Sequence, residues 1–244
     1  MDEIKKKKHF EVIDLARGFA ILLMFIYHFS YDLDYFGFIQ ENFACDKFWI
    51  NFRLVIIAFF LTVMGISLYL ASYKGLNKKR FKQRLLLLVV YSLLVSISSW
   101  VMFPDAMILF GVLHFIAVAS VLGLLFIRLG IINLFLGITI ILIGQFLEFP
   151  IFNHLYLHWI GLMTQLPVTV DYVPLIPWFG VVLVGMYLGQ LLSQRPANSA
   201  LLQWKSHHPI TRLMTLGGRH SLHIYMLHQP LFLGILYIIS LIIR

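Results

Sequence analysis

The stretch NKKRFKQRLLLLVVYSLLVSISSWVMFPD, residues 77–105, sets Lys78, Lys79, Arg80, Lys82 and Arg84 directly before an uncharged apolar run at 85–103, and closes on Pro104 and Asp105. Such a run predicts a helix that crosses a bilayer, because about 20 mostly apolar residues rising 1.5 Å each are needed to span a hydrocarbon core about 30 Å thick. Working outward, similar runs lie at 12–31, 49–73, 107–127, 131–149, 174–193 and 220–243, making seven candidate spans in 244 residues. Unpaired backbone groups are costly in hydrocarbon, so each run is expected to be helical, and no period-two pattern for a barrel is present. The fold class read here is all-α, a polytopic transmembrane helix bundle of about seven helices, with residues 1–244 forming a single transmembrane domain.

Composition excludes the soluble alternatives. Hydrophobic residues make up 60% of the chain and charged ones 12%, against about 45–50% and 25% in soluble domains. The net charge of +8 would suggest nucleic acid if the basic residues formed a patch on a wetted surface. They sit instead between the apolar runs, so no nucleic-acid partner is expected. The single cysteine, Cys45, has no disulfide partner and no ligand-spaced neighbour, and no metal site is expected. The start, MDEIKKKKHF, resembles the basic flank of a signal peptide, but a long apolar run without a small-residue cleavage site follows, so it reads as a retained first helix.

Lysine and arginine bias orients the chain. With the N-terminus in the cytoplasm, Lys5, Lys6, Lys7, Lys8, Arg17, Lys74, Lys78, Lys79, Arg80, Lys82, Arg84, Arg128, Arg195, Lys205, Arg212 and Arg219 fall on the cytoplasmic side, 16 of the 19 basic residues. Lys47, Arg53 and Arg244 fall on the other, together with Asp32, Asp34, Glu41, Asp46, Asp105, Glu148 and Asp171. Two outer connections, 32–48 and 148–173, are long enough to roof a cavity, and IFNHLYLHWIGLMT in the second suits a helix lying at the interface. The stretch 194–218 reads as a polar cytoplasmic linker whose prolines and paired glycines break helix continuation. Gly185 and Gly189, in GMYLG, read as a close helix-packing face. The location expected is an integral, multi-pass protein of a bacterial inner membrane.

Ionisable residues inside the apolar runs cost about 2.5–3.5 kcal/mol each at a helix centre and therefore point to function. In ARGFAILLMFIYH, Arg17 and His28 are eleven residues apart, close to three turns, so they share one helix face about 16 Å apart. A cation near the cytoplasmic mouth and a titratable base near the outer one suit an anionic cofactor that enters from the cytoplasm with its reactive end reaching outward. Arg17 also fits a snorkelling anchor paired with Asp14, and His28 fits a packed histidine bonded to a neighbouring helix. In FGVLHF, His114 lies about 10 Å inward from Met107 if the helix starts there, close to the level expected of His28; it reads equally as a histidine bridging two helices. In GGRHSLHIYMLHQPLF, Arg219 and His220 mark the cytoplasmic boundary and His228 lies about 12 Å further in, just before Pro230. Asp171, in DYVPLIPWFG, fits a carboxylate that orients an outer-side histidine, or an ordinary aromatic-belt helix start.

Taken together, IDLARGFAILLMFIYHFSYDLDYFG, FGVLHFIAVAS, DYVPLIPWFGVVLVGMYLG and LGGRHSLHIYMLHQP resemble the bacterial membrane family similar to the catalytic domain of heparan-α-glucosaminide N-acetyltransferase, over nearly the whole chain. More distantly, the Arg17–His28 spacing and SLHIYMLHQP resemble membrane acyltransferases that O-acetylate bacterial surface polysaccharides. The resemblance implies a helical bundle that takes acetyl-CoA from the cytoplasm and passes the acyl group to an acceptor, often a sugar or glycan, on the other side. It implies that Arg17 helps to hold the anionic donor and that His28 is the general base. The lysosomal relatives are larger and place a catalytic histidine in the loop after their first helix; no histidine stands between His28 and His114 here.

The chemistry of acyl transfer fits the candidates. His28 or His114 supplies a base of reference pKa near 6.5, oriented by Asp171, while Arg17, Arg84 and Arg219, with His228 further in, form the cofactor-side set for CoA. Partners expected are the lipid bilayer, acyl-CoA, an extracytoplasmic sugar acceptor and, as an open possibility, a second copy of the chain in a homodimer. Two readings from other classes stand beside this one: a non-catalytic transporter of a small anionic or acyl substrate, and a haem-binding electron carrier using His28, His114 or His228 as axial ligands.

Overall fold

The computed structural model describes residues 10–167, 169, 171–196 and 199–243. Lys5 to Lys8 and Arg244, counted in the charge bias, lie outside the described residues. Every apolar run becomes a helix, and among the described residues there is no strand. In chain order the helices are α1 (Glu11–Tyr35), α2 (Lys47–Ser72), α3 (Lys78–Met102), α4 (Val112–Phe126), α5 (Ile132–Phe146), α6 (Leu175–Gln194), α7 (Ala200–Gln203), α8 (Pro209–Arg219) and α9 (Ser221–Ile243). Five of them, α1, α2, α3, α6 and α9, are long and apolar enough to cross a membrane. The other two runs give helices of only 15 residues, α4 and α5, a rise of about 22 Å. The chain is an integral membrane protein built as a polytopic helical bundle.

The fourth run shortens because residues 107–111 are not helical. Ser96 donates its hydroxyl to the Ile108 carbonyl at 2.7 Å and Ser99 accepts the Ile108 amide at 3.0 Å, so α3 serines satisfy a backbone that has left its own helix. His114 therefore sits in the first turn of α4, not 10 Å along a helix begun at Met107. In the connection between α5 and α6, the expected interfacial helix is two short 3₁₀ segments, Pro150–Asn153 and Leu155–Ile160.

The described chain forms two compact units, Met1–Phe60 with Arg195–Arg244, and Leu61–Gln194. In the second, α4 is the buried helix, with Phe115 and Ala119 wholly enclosed. The C-terminal half of α2 meets α6 through small residues. A Cβ at Gly65 would overlap the Val182 carbonyl, and one at Gly185 the Thr62 carbonyl; the GMYLG face does bring two backbones into contact, as expected where packing rather than hydrophobicity drives association. Large apolar side chains of α3, including Leu86, Leu93, Ile97 and Val101, stay exposed, a surface suited to lipid and not to water.

In the first unit, α8 corrects the reading of 194–218 as a linker in which proline and glycine break helices. Pro209 opens α8 at its first position, where a missing N–H costs nothing, and His208 Nδ1 caps it by accepting the Ile210 amide at 3.3 Å. Gly218 and Gly18 instead let α8 lie backbone to backbone on α1: a Cβ at Gly218 would overlap the Asp14 carbonyl, and one at Gly18 the Met214 carbonyl. The two neighbouring glycines make opposite predictions. Gly218→Ala should destabilise the purified protein by about 1–3 kcal/mol through overpacking, whereas Gly217→Ala, whose Cβ meets only Ile224 at 3.9 Å, should be neutral or gain up to about 1 kcal/mol of helix propensity. Thermal unfolding of both variants in detergent measures this, and equal effects would refute the packing assignment.

Candidate functional site

Along α1, Asp14, Gly18, Ile21, Phe25, His28 and Asp32 recur at steps of four and three, which places them on one stripe of the helix. At its N-terminal end the Asp14 carboxylate, almost wholly buried, accepts from Arg17 Nη1 at 3.0 Å and from Arg219 Nε at 3.3 Å. Arg219 also lies 3.6 Å from Glu11, which in turn accepts the Ser206 amide at 3.0 Å. The structure thus brings together two of the predicted donor-binding cations, Arg17 and Arg219, across a carboxylate that sequence reading had given only to Arg17. Formal charges in this group of four cancel, so it is in the first place a clamp between α1 and α8. Arg84, the third predicted cation, is an exposed residue of α3 in the other unit.

Three turns further along α1 from Arg17, α9 brings His228 against His28, with ring centroids 5.0 Å apart and planes at 62°. Phe25 stacks on His228 at 5.7 Å and Phe232 meets it edge-on at 5.8 Å. His228 Nδ1 stands 2.6 Å from the Tyr225 carbonyl. A carbonyl only accepts, so Nδ1 carries the proton, and Nε2 of the neutral ring is left as an acceptor. That Nε2 is buried and has no hydrogen-bond partner among the described residues. Two imidazoles in edge contact leave no gap for the macrocycle that axial haem ligands must flank.

One turn beyond His28 is Asp32, 1% exposed, which accepts from Gln229 Nε2 at 2.7 Å. Neither Asp32 nor Gln229 was picked out from sequence, although both were signalled: Asp32 follows His28 at i+4, and Gln229 follows His228 directly. Around this end Tyr27, Phe43, Trp49 and Phe52 form an aromatic cluster, with Phe43 supplied by the outer connection after α1.

His114 and Asp171 belong to the second unit, where both serve the start of α4. His114 Nδ1 accepts the Gly111 amide at 3.3 Å, which leaves the ring proton on Nε2, 3.1 Å from Ser96 Oγ. The Ser96 hydroxyl then donates to Ile108. Both ring nitrogens are thereby engaged, in the helix-bridging role that was the alternative for this residue. Asp171 accepts the Val112 amide at 3.0 Å, an N-terminal cap favoured by the helix dipole. Close by, Tyr172 donates to the His158 carbonyl at 2.6 Å, and burial pushes its phenol pKa up. Among the described residues no cluster of His, Cys, Asp and Glu fits a metal ion.

A family model described as heparan-alpha-glucosaminide N-acetyltransferase, catalytic, matches residues 9–230. No curated protein and no solved structure matches the chain.

The Gly111–His114–Ser96–Ile108 chain of hydrogen bonds has a direct consequence. Ser96→Ala removes the acceptor for the His114 ring proton and the donor to the Ile108 carbonyl, and should destabilise the protein by about 1–3 kcal/mol. Thermal unfolding reads this out, and an unchanged midpoint would show that the relay carries no stability.

Proposed function

This chain belongs to the family of the heparan-alpha-glucosaminide N-acetyltransferase catalytic domain, and from that premise we propose that it transfers an acetyl group from cytoplasmic acetyl-CoA to a sugar amine or hydroxyl on the far side of the membrane. The family is one of transmembrane acetyltransferases. The observation that carries the finer reading is the His28–His228 imidazole pair, three turns outward of Arg17 on one unbroken helix. The family match, covering most of both units in a single stretch, supports treating the whole chain as one acyltransferase domain. The lysine and arginine bias supports a cytoplasmic N-terminus in a bacterial inner membrane.

In this mechanism the donor phosphates bind at the cytoplasmic end, where Arg17 and Arg219 lie. A guanidinium carries five N–H donors in a fixed fork, enough to hold Asp14 and a phosphate together. The pantetheine arm runs outward along α1 and presents the thioester near the histidines. His28 takes the proton from the acceptor N–H or O–H as its lone pair attacks the acetyl carbon. The new C–N or C–O bond forms, the C–S bond breaks, and the CoA sulfur leaves to be protonated. His228, its tautomer fixed by Tyr225, accepts from the imidazolium that His28 becomes, as a neighbouring acceptor does for the base of a hydrolytic triad. The edge contact of the two rings favours this use of them over axial ligation of haem.

The test is a CoA-release assay with the purified full chain and an amino sugar as acceptor. His28→Ala should lower kcat by about 10²–10⁴-fold, the usual worth of a general base, while Arg17→Ala should act mainly by raising the KM for acetyl-CoA. Unchanged turnover in His28→Ala would remove the base assignment, and failure of the wild-type protein to bind CoA would remove the donor.

A further inference from the structure

Three buried acceptor atoms, near the C-terminal part of α1 and in the first half of α9, have no hydrogen-bond partner among the described residues: Asp32 Oδ2, Gln229 Oε1 and His228 Nε2. A buried polar atom left without a partner costs about 1–3 kcal/mol, and more when charged, so three in one place need an explanation. Asp32 is 1% and His228 5% exposed.

Their geometry and chemistry agree on what would satisfy them. Asp32 Oδ1 already receives the Gln229 amide N–H at 2.7 Å. Turning the amide over would set its oxygen against the carboxylate, so the donor assignment is the one chemistry allows. The two open oxygens belong to the two groups joined by that bond, one to the carboxylate and one to the amide. Residues four apart on a helix are neighbours about 5–6 Å apart, which puts the Asp32 carboxylate one turn from His28. Gln229 follows His228, whose ring centroid is 5.0 Å from that of His28 and whose Nε2 is open. Every open atom is an acceptor, and one belongs to a carboxylate. The complementary ligand brings N–H or O–H donors only: an ammonium, or adjacent hydroxyls.

We infer that Asp32 and Gln229 form an acceptor-binding subsite, one helical turn outward of the imidazole pair, that holds an amine or hydroxyl donor of the incoming sugar while a neighbouring group faces His28. The inference rests on the acyl-transfer reading for the sugar's role, but its two residues, Asp32 and Gln229, have no part in that mechanism. The carboxylate and amide are positioning groups and do not touch the acetyl carbon. Their place toward the outer end of α1, away from Arg17, lets donor and acceptor approach from opposite directions without competing.

Equilibrium binding tests the subsite apart from turnover. Glucosamine and glucose serve as probes, with the purified full chain in detergent and ligand-induced thermal stabilisation as the readout. Wild type should be stabilised by glucosamine, or by both sugars if hydroxyls are the bound donors. Asp32→Asn and Gln229→Met should each weaken that binding by about tenfold or more while CoA binding, measured on the same samples, is retained and reports an intact fold. Should one variant fail to fold, the other carries the test. Sugar binding unchanged in a folded variant, or no stabilisation of wild type by either sugar, would overturn the subsite. Loss of CoA binding by wild type would instead count against the acyl-transfer reading alone.

Discussion

Lipid offers no hydrogen bonds, so a helix that carries Asp14, His28 and Asp32 into or beside the hydrocarbon has to present them to protein. The four-three spacing of α1 does this with one stripe, and α8 and α9 are shaped by it in turn. At Asp14 and Gly18 the stripe requires a partner with arginine and no side chain, and α8 supplies Arg219 and Gly218. At Phe25 and His28 it requires a ring surface, which His228 and Phe232 provide. At Asp32 it requires a donor, which is Gln229. A continuous helix 25 residues long thus fixes which side chains of the last fifty residues face it.

The second unit meets the same requirement in another way. Its buried polar groups are tied mostly to backbone: Ser96 and Ser99 to the non-helical residues before α4, His114 and Asp171 to the first amides of α4, Asn133 to the Phe126 carbonyl. These bonds allow α4 and α5 to be short and their ends irregular inside a membrane protein, because irregular backbone at membrane depth is tolerated only where protein satisfies it. The contrast separates the histidines by chemistry. An imidazole serves as a base through a lone pair that is not already accepting a hydrogen bond. In His114 the Gly111 amide occupies Nδ1 and the proton sits on Nε2, whereas His228, whose ring lies 5.0 Å from that of His28, keeps an Nε2 without a partner among the described residues.

Much of this was legible in the sequence. Apolar run length gave seven apolar helices, five of them long enough to cross a membrane, to within a few residues at most ends, since hydrophobicity over twenty residues is a strong signal. The Arg17–His28 spacing gave one face of α1, and GMYLG gave a packing surface. What escaped depends on partners distant in the chain. Nothing local tells whether GG after a polar stretch breaks a helix or docks it, and Gly217–Gly218 was read the wrong way because its partner, Asp14, lies some two hundred residues earlier. The serines of α3 looked like mild impurities in an apolar run, although they determine where α4 begins. Asp32 was counted as an outer-side charge; its meaning came only with Gln229.

Between its two polar ends the α1 stripe is apolar and narrow, with Gly18, Ile21 and Phe25 in succession. The order along the helix is therefore cations paired with carboxylates, then an apolar stretch without charge, then imidazoles, then an acceptor-rich pair. Acetyl-CoA has the same order in its own covalent structure: phosphates, an uncharged flexible arm, then a thioester. A ligand charged at both ends would set one charge against the apolar stretch, and a wholly apolar ligand would make no use of Arg17 or Arg219. Desolvating the phosphates would be the largest electrostatic cost in binding such a donor, and the proposed seat at Arg17 and Arg219, with only the neutral arm against the apolar stretch, would avoid it. The spacing of charge and apolar surface on one helix thus matches the distribution of charge along one donor, and this correspondence supports the reading of α1 as the track along which an acyl group is presented.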